Sequence, residues 1–190
     1  MKRILVFGDA HIPSRRDSIP TSFYGHIESS DYDLALVTGD LVRENEMRAA
    51  LPTLPTCYIV QGNMDYGRGF DFHKQVQIDD FNILLIHGTQ LRPRGNIKQL
   101  GEIVMNVNAD VGIHGHTHTP AIDVHNGRLF LNPGTISGAT GGWAGRVDAS
   151  FMELKISGSQ MTVVLHLTDW QVTKQSSLRF VKENEEIVRG

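Results

Sequence analysis

The chain has 190 residues, 18 basic and 21 acidic side chains for a formal charge of −3, and nine histidines against a single cysteine. That length suits one domain able to bury a sizeable core without covalent staples, so residues 1–190 are read as a single domain. Lone Cys57 excludes an internal disulfide, a cysteine-rich zinc finger and an iron–sulfur site, and its scarcity points to a cytoplasmic setting.

The first apolar run, Ile4 to Phe7, stops at Gly8-Asp9, too short for a signal-peptide core. It reads instead as a buried strand ending in a turn. Leu34 to Val37 ends likewise at Gly39-Asp40, and Cys57 to Val60 at Gly62-Asn63. Helices are expected between them, over about 20–28 and about 44–51, the second with Glu44, Glu46 and Arg48 on a polar face. Strands alternating with helices predict a parallel sheet of crossover units, whose ligands sit beyond the carboxyl ends of the strands.

Ile83 to Ile86 ends at His87-Gly88, and Ile97, Leu100, Ile103, Val104 and Val107 share one helical face. Asp110 to Ile113 leads into His114-Gly115-His116-Thr117-His118. Hairpins follow: Ile122–Val124 and Leu129–Leu131 flank Asn126-Gly127, a strong turn signal, and Ser150–Ile156 and Met161–Leu167 flank Ser157-Gly158-Ser159. Part of 170–182 alternates as one more strand would. The expected fold is α/β, two packed sheets with helices outside. No run approaches the roughly 20 apolar residues of a membrane span. Mixed charge and a pI near 6.3 give no nucleic-acid surface, and Arg15-Arg16 and Arg92-Pro93-Arg94 read as solvated loop charges.

Polar residues recur just after the strands: Asp9 and His11, Asp40, Asn63 with Asp65, His87, then His116 and His118. From Asp9 to Asp40, Asn63, His87 and His116 the steps are 31, 23, 24 and 29 residues, about one strand-plus-helix unit each, so each unit returns the chain to one edge. Carboxylate, imidazole and amide oxygen together suit borderline divalent ions such as Mn²⁺, Fe²⁺ or Zn²⁺. Asp65 aside, seven such groups exceed the four of a tetrahedral zinc but match two ions sharing a carboxylate, roughly 3.5–4 Å apart. Asp40, after the middle of the first three strands, is the natural bridge.

Asp9-Ala10-His11, Gly39-Asp40, Gly62-Asn63-Met64-Asp65, His87-Gly88 and Gly115-His116-Thr117-His118 together resemble the calcineurin-like metallophosphoesterases. Asn132-Pro133-Gly134-Thr135 resembles the Asn-Pro-Gly-Ser turn of the small bacterial and archaeal branch. Gly8 to Pro13 and the hairpin-rich tail are similar to the metallophosphoesterase-fold subunit of eukaryotic retromer. The resemblance implies a four-layer αββα sandwich of two mixed β-sheets. It implies one ion on Asp9, His11 and His118 and another on Asn63, His87 and His116, with Asp40 bridging. The ions would be Mn first, with Fe, Ni, Co or Zn as alternatives. Asp40, Asn63 and His116 would carry catalysis, a bridging hydroxide attacking a small phosphodiester, or a phosphomonoester, without a protein nucleophile. The rival it implies is a non-catalytic scaffold with a retromer-like protein partner; a homo-oligomer is also compatible.

One position departs from the family pattern, which often has a histidine after Gly-Asn; here it is Met64, which supplies no general acid. Asp65 is read as a turn former or as a group that orients a ligand or water. His114 is expected in a structural role, and His26, His73, His125 and His166 at the surface. Gly138 to Gly145 lacks the Gly-Lys-Ser/Thr ending of a phosphate loop and is expected to be a mobile loop, with Trp143 able to cover the site.

Overall fold

Strand β1 (Lys2–Phe7) alternates Ile4 and Val6 with Leu5 and Phe7, all buried, as a strand covered on both faces requires. In the computed structural model, which describes residues 1–65, 69–143 and 145–190, β1 pairs in parallel with β2 (Leu34–Val37), and β2 with β3 (Cys57–Ile59). Antiparallel β9 (Ala149–Ser157), β10 (Gln160–Thr168), β11 (Thr173–Glu183) and β12 (Glu186–Arg189) extend this sheet in the order β12-β11-β10-β9-β1-β2-β3. The second sheet runs β4-β5-β6-β8-β7, from β4 (His73–Ile78), β5 (Phe81–Ile86), β6 (Val111–Ile113), β7 (Ala121–His125) and β8 (Arg128–Asn132).

The two periodicities sort the side chains into layers. Ile4, Val6, Leu36, Met152 and Leu154 meet Ile83, Leu85, Val111, Ile113 and Leu131 between the sheets. Leu5, Phe7, Ala35 and Phe151 face the other way, against Phe23 and Ile27 of α1 (Thr21–Glu28) and Met47 of α2 (Glu44–Ala49). Leu84, Ile86 and Phe130 cover Leu100 and Val104 of α3 (Ile97–Asn106). The result is the expected helix–sheet–sheet–helix stack, with two mixed sheets. No helix among the described residues is long and apolar enough to cross a membrane.

The helices and the 121–132 hairpin fall where the pattern places them; Asn126 and Gly127 both take the positive φ their turn needs. Two strands carry no clear signal in the sequence. β4 presents His73, Gln75 and Gln77 to solvent at a sheet edge, so its polar run lacks an apolar stripe. β12 is four residues long with one buried side chain, Ile187.

Candidate metal centre

The strand ends of both sheets deliver the candidate ligands to one place. Backbone bonds stitch the loops together: Asp9 N–H donates to Gly39 O, His11 N–H to Asp40 O and Gly115 N–H to His87 O, at 2.9–3.0 Å. Asp9, His11, Asp40, His116 and His118 all have φ between 48° and 70°. A left-handed conformation costs a side-chain-bearing residue about 1–2 kcal/mol. Five of the seven candidate ligands hold it, so surrounding contacts, not local preference, set their aim. Two glycines permit the close approach. A Cβ on Gly62 would lie 2.2 Å from Asp40 Oδ1, and one on Gly115 2.7 Å from Asp9 Oδ2.

The seven side chains form two adjoining groups. In one, His11 Nε2 lies 3.2 Å from His118 Nε2, and Asp9 Oδ1 3.4 Å from His118 Nε2. In the other, His87 Nε2 lies 3.2 Å from both Asn63 Oδ1 and His116 Nδ1. Asp40 Oδ2 stands between them, 3.4 Å from His11 Nε2 and 3.5 Å from His87 Nε2. Its other oxygen is held by the Met64 N–H at 2.7 Å.

Proton placement shows what these groups can bind. His87 Nδ1 faces Thr38 O at 2.7 Å and His118 Nδ1 faces Ala139 O at 2.6 Å. Carbonyls only accept, so each Nδ1 carries a hydrogen, and in the neutral ring each Nε2 is left with a lone pair. Those lone pairs look at carboxylate oxygens: His118 at Asp9 Oδ1, His87 at Asp40 Oδ2. Asp9 Oδ1 is buried without a hydrogen-bond partner. Acceptor facing acceptor in a buried site is repulsive unless a proton or a metal ion lies between. The donor set therefore fits divalent metal ions.

Burial, ahead of neighbouring charges, pushes the Asp9 carboxyl up to about 7 and raises that of Asp40. Burial likewise lowers His11 to about 3 and His116 to about 4, with His118 moved the same way. These three imidazoles are therefore neutral and ready to ligate at neutral pH.

Residues beyond the seven candidate ligands frame the centre. Asp65, 1% exposed, accepts from the N–H groups of Asp40, Leu41, Val42 and Gly62 at 2.7–3.0 Å, locking the loop after β2 to the one after β3. Thr135 Oγ1 donates to Asp9 O and Ser137 Oγ to Ala10 O. Asn132 donates to Gly115 O and Thr117 Oγ1, which gives the Asn-Pro-Gly-Thr turn its place beneath the histidine loop. In the sequence, Asp65 is marked by its place after a strand and Asn132 and Thr135 by their motif, whereas Ser137 carries no signal.

Other expectations need correction. His26 and His166 are not surface groups: His166 is buried and His26 half-buried, because both pack around the buried Glu153. His73 and His125 are exposed, and His114 is buried outside both ligand groups. Arg15 and Arg16 are half-buried, one donating to Thr140 O and the other stacked 5.1 Å over Trp170. Arg92 donates to Thr89 O and Arg94 to His116 O. Gly138 to Thr140 is buried and seats His118 through Ala139 O, which a freely mobile loop would not do. Trp143 is 62% exposed, and Ala144 lies outside the described residues. Beside the centre, a cleft of about 600 Å³ opens between Gln61, Asn63, Phe72, His87, Thr89 and Gln90.

The family profile described as "Calcineurin-like phosphoesterase superfamily domain" matches residues 1–159, and the chain belongs to that superfamily. Over 178 residues it is 34% identical to a protein named "Probable metallophosphoesterase" from Methanothermobacter thermautotrophicus, covering 92% of this chain and 97% of that one. A single mutant of Vps29 from Entamoeba histolytica superposes with a TM-score of 0.86 at 31% identity, covering 94% of this chain and 99% of that one. Wild-type Vps29 of the same organism, complexed with Zn²⁺, superposes at 0.82 with 28% identity, covering 93% and 98%.

Proposed function

We propose that the chain hydrolyses phosphodiesters, and phosphomonoesters more slowly, at a dinuclear divalent metal centre. The observation that carries this is the set of buried acceptors, Asp9 Oδ1, Asp40 Oδ2 and the Nε2 lone pairs of His87 and His118, aimed at one another. Asp9, His11 and His118 would hold one ion and Asn63, His87 and His116 the other, with Asp40 shared. Two such ions, when bound, polarise a phosphoryl group and supply a nucleophile derived from water near neutral pH. The chain's own part is positioning. Thr38 O and Ala139 O fix two imidazoles, the Met64 N–H fixes Asp40, and Arg15 and Arg94 lend positive charge to an anionic substrate's approach. The leaving group would extend into the cleft bounded by Phe72 and Gln90. With methionine at position 64, substrates whose leaving group needs no protonation are favoured.

Manganese is the metal we favour, with Fe, Ni, Co and Zn as alternatives for the same nitrogen and oxygen donors. A cytoplasmic setting accords with Cys57 remaining a free thiol. A single functional domain accords with the bond from Ile187 N–H to Gly127 O, which ties the last strand to the smaller sheet. The rival reading, a protein-binding scaffold on this fold, draws on the Vps29 neighbours, among them one from Chaetomium thermophilum complexed with a cyclic peptide.

The test is metal content after purification, with hydrolysis of an activated phosphodiester across the five metals. Manganese-supported turnover that falls 100-fold or more in Asp40→Asn, the usual order for a group stabilising the transition state, is the expected result. Absence of bound metal and of turnover, with Asp40→Asn indistinguishable from wild type, would leave the scaffold reading.

A further inference from the structure

Outside the centre, the described residues hold a second convergence of metal-competent side chains, none shared with the first. Glu153 on β9 and His166 on β10 lie on adjacent antiparallel strands, where the register pairs Glu153 with Val164 and His166 with Phe151. Glu153 also stands opposite Leu5, on the face of the larger sheet that packs against α1, and α1 contributes His26. The cluster thus lies within the helix–sheet layer, while the first centre lies in the loops beyond the strand ends.

His26 Nε2 is 2.6 Å and His166 Nε2 3.6 Å from the same oxygen, Glu153 Oε1, and all the donor atoms lie within 4.8 Å of one another. A hydrogen-bonded network accounts for part of this. Glu153 Oε1 receives the Tyr32 hydroxyl at 2.7 Å and pairs with His26, while Arg3 Nη2 stands 3.8 Å from Oε2. It does not account for His166. That residue is 3% exposed, its Nε2 is buried with no hydrogen-bond partner, and 3.6 Å is too long for a bond to Glu153. The ring is nonetheless fixed, stacked on Phe151 at 4.3 Å with 3° between planes and 4.4 Å from the His26 ring. A buried ring nitrogen held in place without a partner costs about 1–3 kcal/mol.

We propose that His26, Glu153 and His166 are a second metal site, taking a borderline divalent ion of the zinc class through two imidazole nitrogens and one carboxylate oxygen, with water completing the shell. Two histidines and a glutamate are a known zinc donor set, and bond lengths of about 2.0–2.2 Å place tetrahedral ligands ~3.3 Å apart. The separations of 2.6 and 3.6 Å bracket that value, so small side-chain adjustments admit the ion. Half-buried His26 leaves an entry from solvent. Tyr32 and Arg3 remain to orient Glu153, as supporting groups do around bound metals. Bound there, the ion pins α1 to β9 and β10.

The test uses the full chain, stripped with chelator, re-equilibrated with zinc and freed of unbound metal before its content is measured. Wild type is expected to retain about one equivalent of zinc per chain more than either His26→Gln or His166→Gln, because each variant removes a ligand. Zinc should also raise the thermal midpoint of wild type by more than that of either variant. His26→Gln, at a half-buried helix position, keeps the test informative if His166→Gln folds poorly. Equal zinc content in all three proteins overturns the proposal, as does a difference seen only at zinc concentrations above about 0.1 mM, an adventitious affinity. Phosphodiester turnover, read on the same samples, reports the first centre separately; its failure leaves this comparison intact.

Discussion

Four backbone N–H groups converge on Asp65, and a single carboxylate answers all of them. Asp65→Asn would turn one oxygen into a donor facing donors, leaving buried N–H groups unpaired at about 1–3 kcal/mol each. Its urea midpoint is expected to drop by several kcal/mol equivalent, and its metal affinity with it, since Asp40 N–H is among the four. Equilibrium denaturation and metal titration check both. Met64→His tests the neighbouring position: it should raise turnover of a phosphodiester with a poor leaving group by ~10²-fold and barely change an activated one. An equal change on both substrates would remove leaving-group protonation as the explanation. The residue types and their spacing made the candidate ligands legible because each follows its own strand. The purpose of Asp65 was not legible, since three of its partners lie about 25 residues upstream, joined to it only by the fold.

Elements that carry a strong period were the readable ones. α3 shows its stripe of Leu100 and Val104 and its cap, Asn96, whose side chain accepts from the N–H groups of Lys98 and Gln99. Asn96→Ala is expected to lower stability by about 1 kcal/mol while leaving phosphodiester turnover unchanged, because α3 packs on the far face of the smaller sheet. Chemical denaturation beside a turnover assay separates the two effects. β4 and β12 carry no such period, for the opposite reason: edge strands need only one buried face, or a single anchor such as Ile187, to stay paired. His26 and His166 likewise carry no local signal of burial. In sequence, each sits among polar or alternating residues, and the buried Glu153 that draws them together comes from a third element.

At the scale of the whole molecule, buried titratable groups set how stability responds to pH. Burial holds His11 near 3 and His116 and His166 near 4, and lowers His114 and His118, so the unfolded chain takes up their protons first. Each of these histidines contributes stability that is complete above about 6.5, the unfolded value, and is lost as pH falls toward its folded value. Asp9, raised to about 7, and Asp40, raised as well, act in reverse: the folded state takes the proton first, so acidification below 7 favours folding through them. Five histidines oppose two carboxylates, so the urea midpoint of metal-stripped protein should fall as pH drops from 6.5 to 4. Metal-loaded protein should start from a higher midpoint, because ions that bind only the folded state stabilise it by mass action. Its advantage should shrink below pH 7, where protons compete with metal for Asp9, and the two curves should merge in acid. A stripped protein whose midpoint rises on acidification across that window would mean that Asp9 and Asp40, not the histidines, govern the balance.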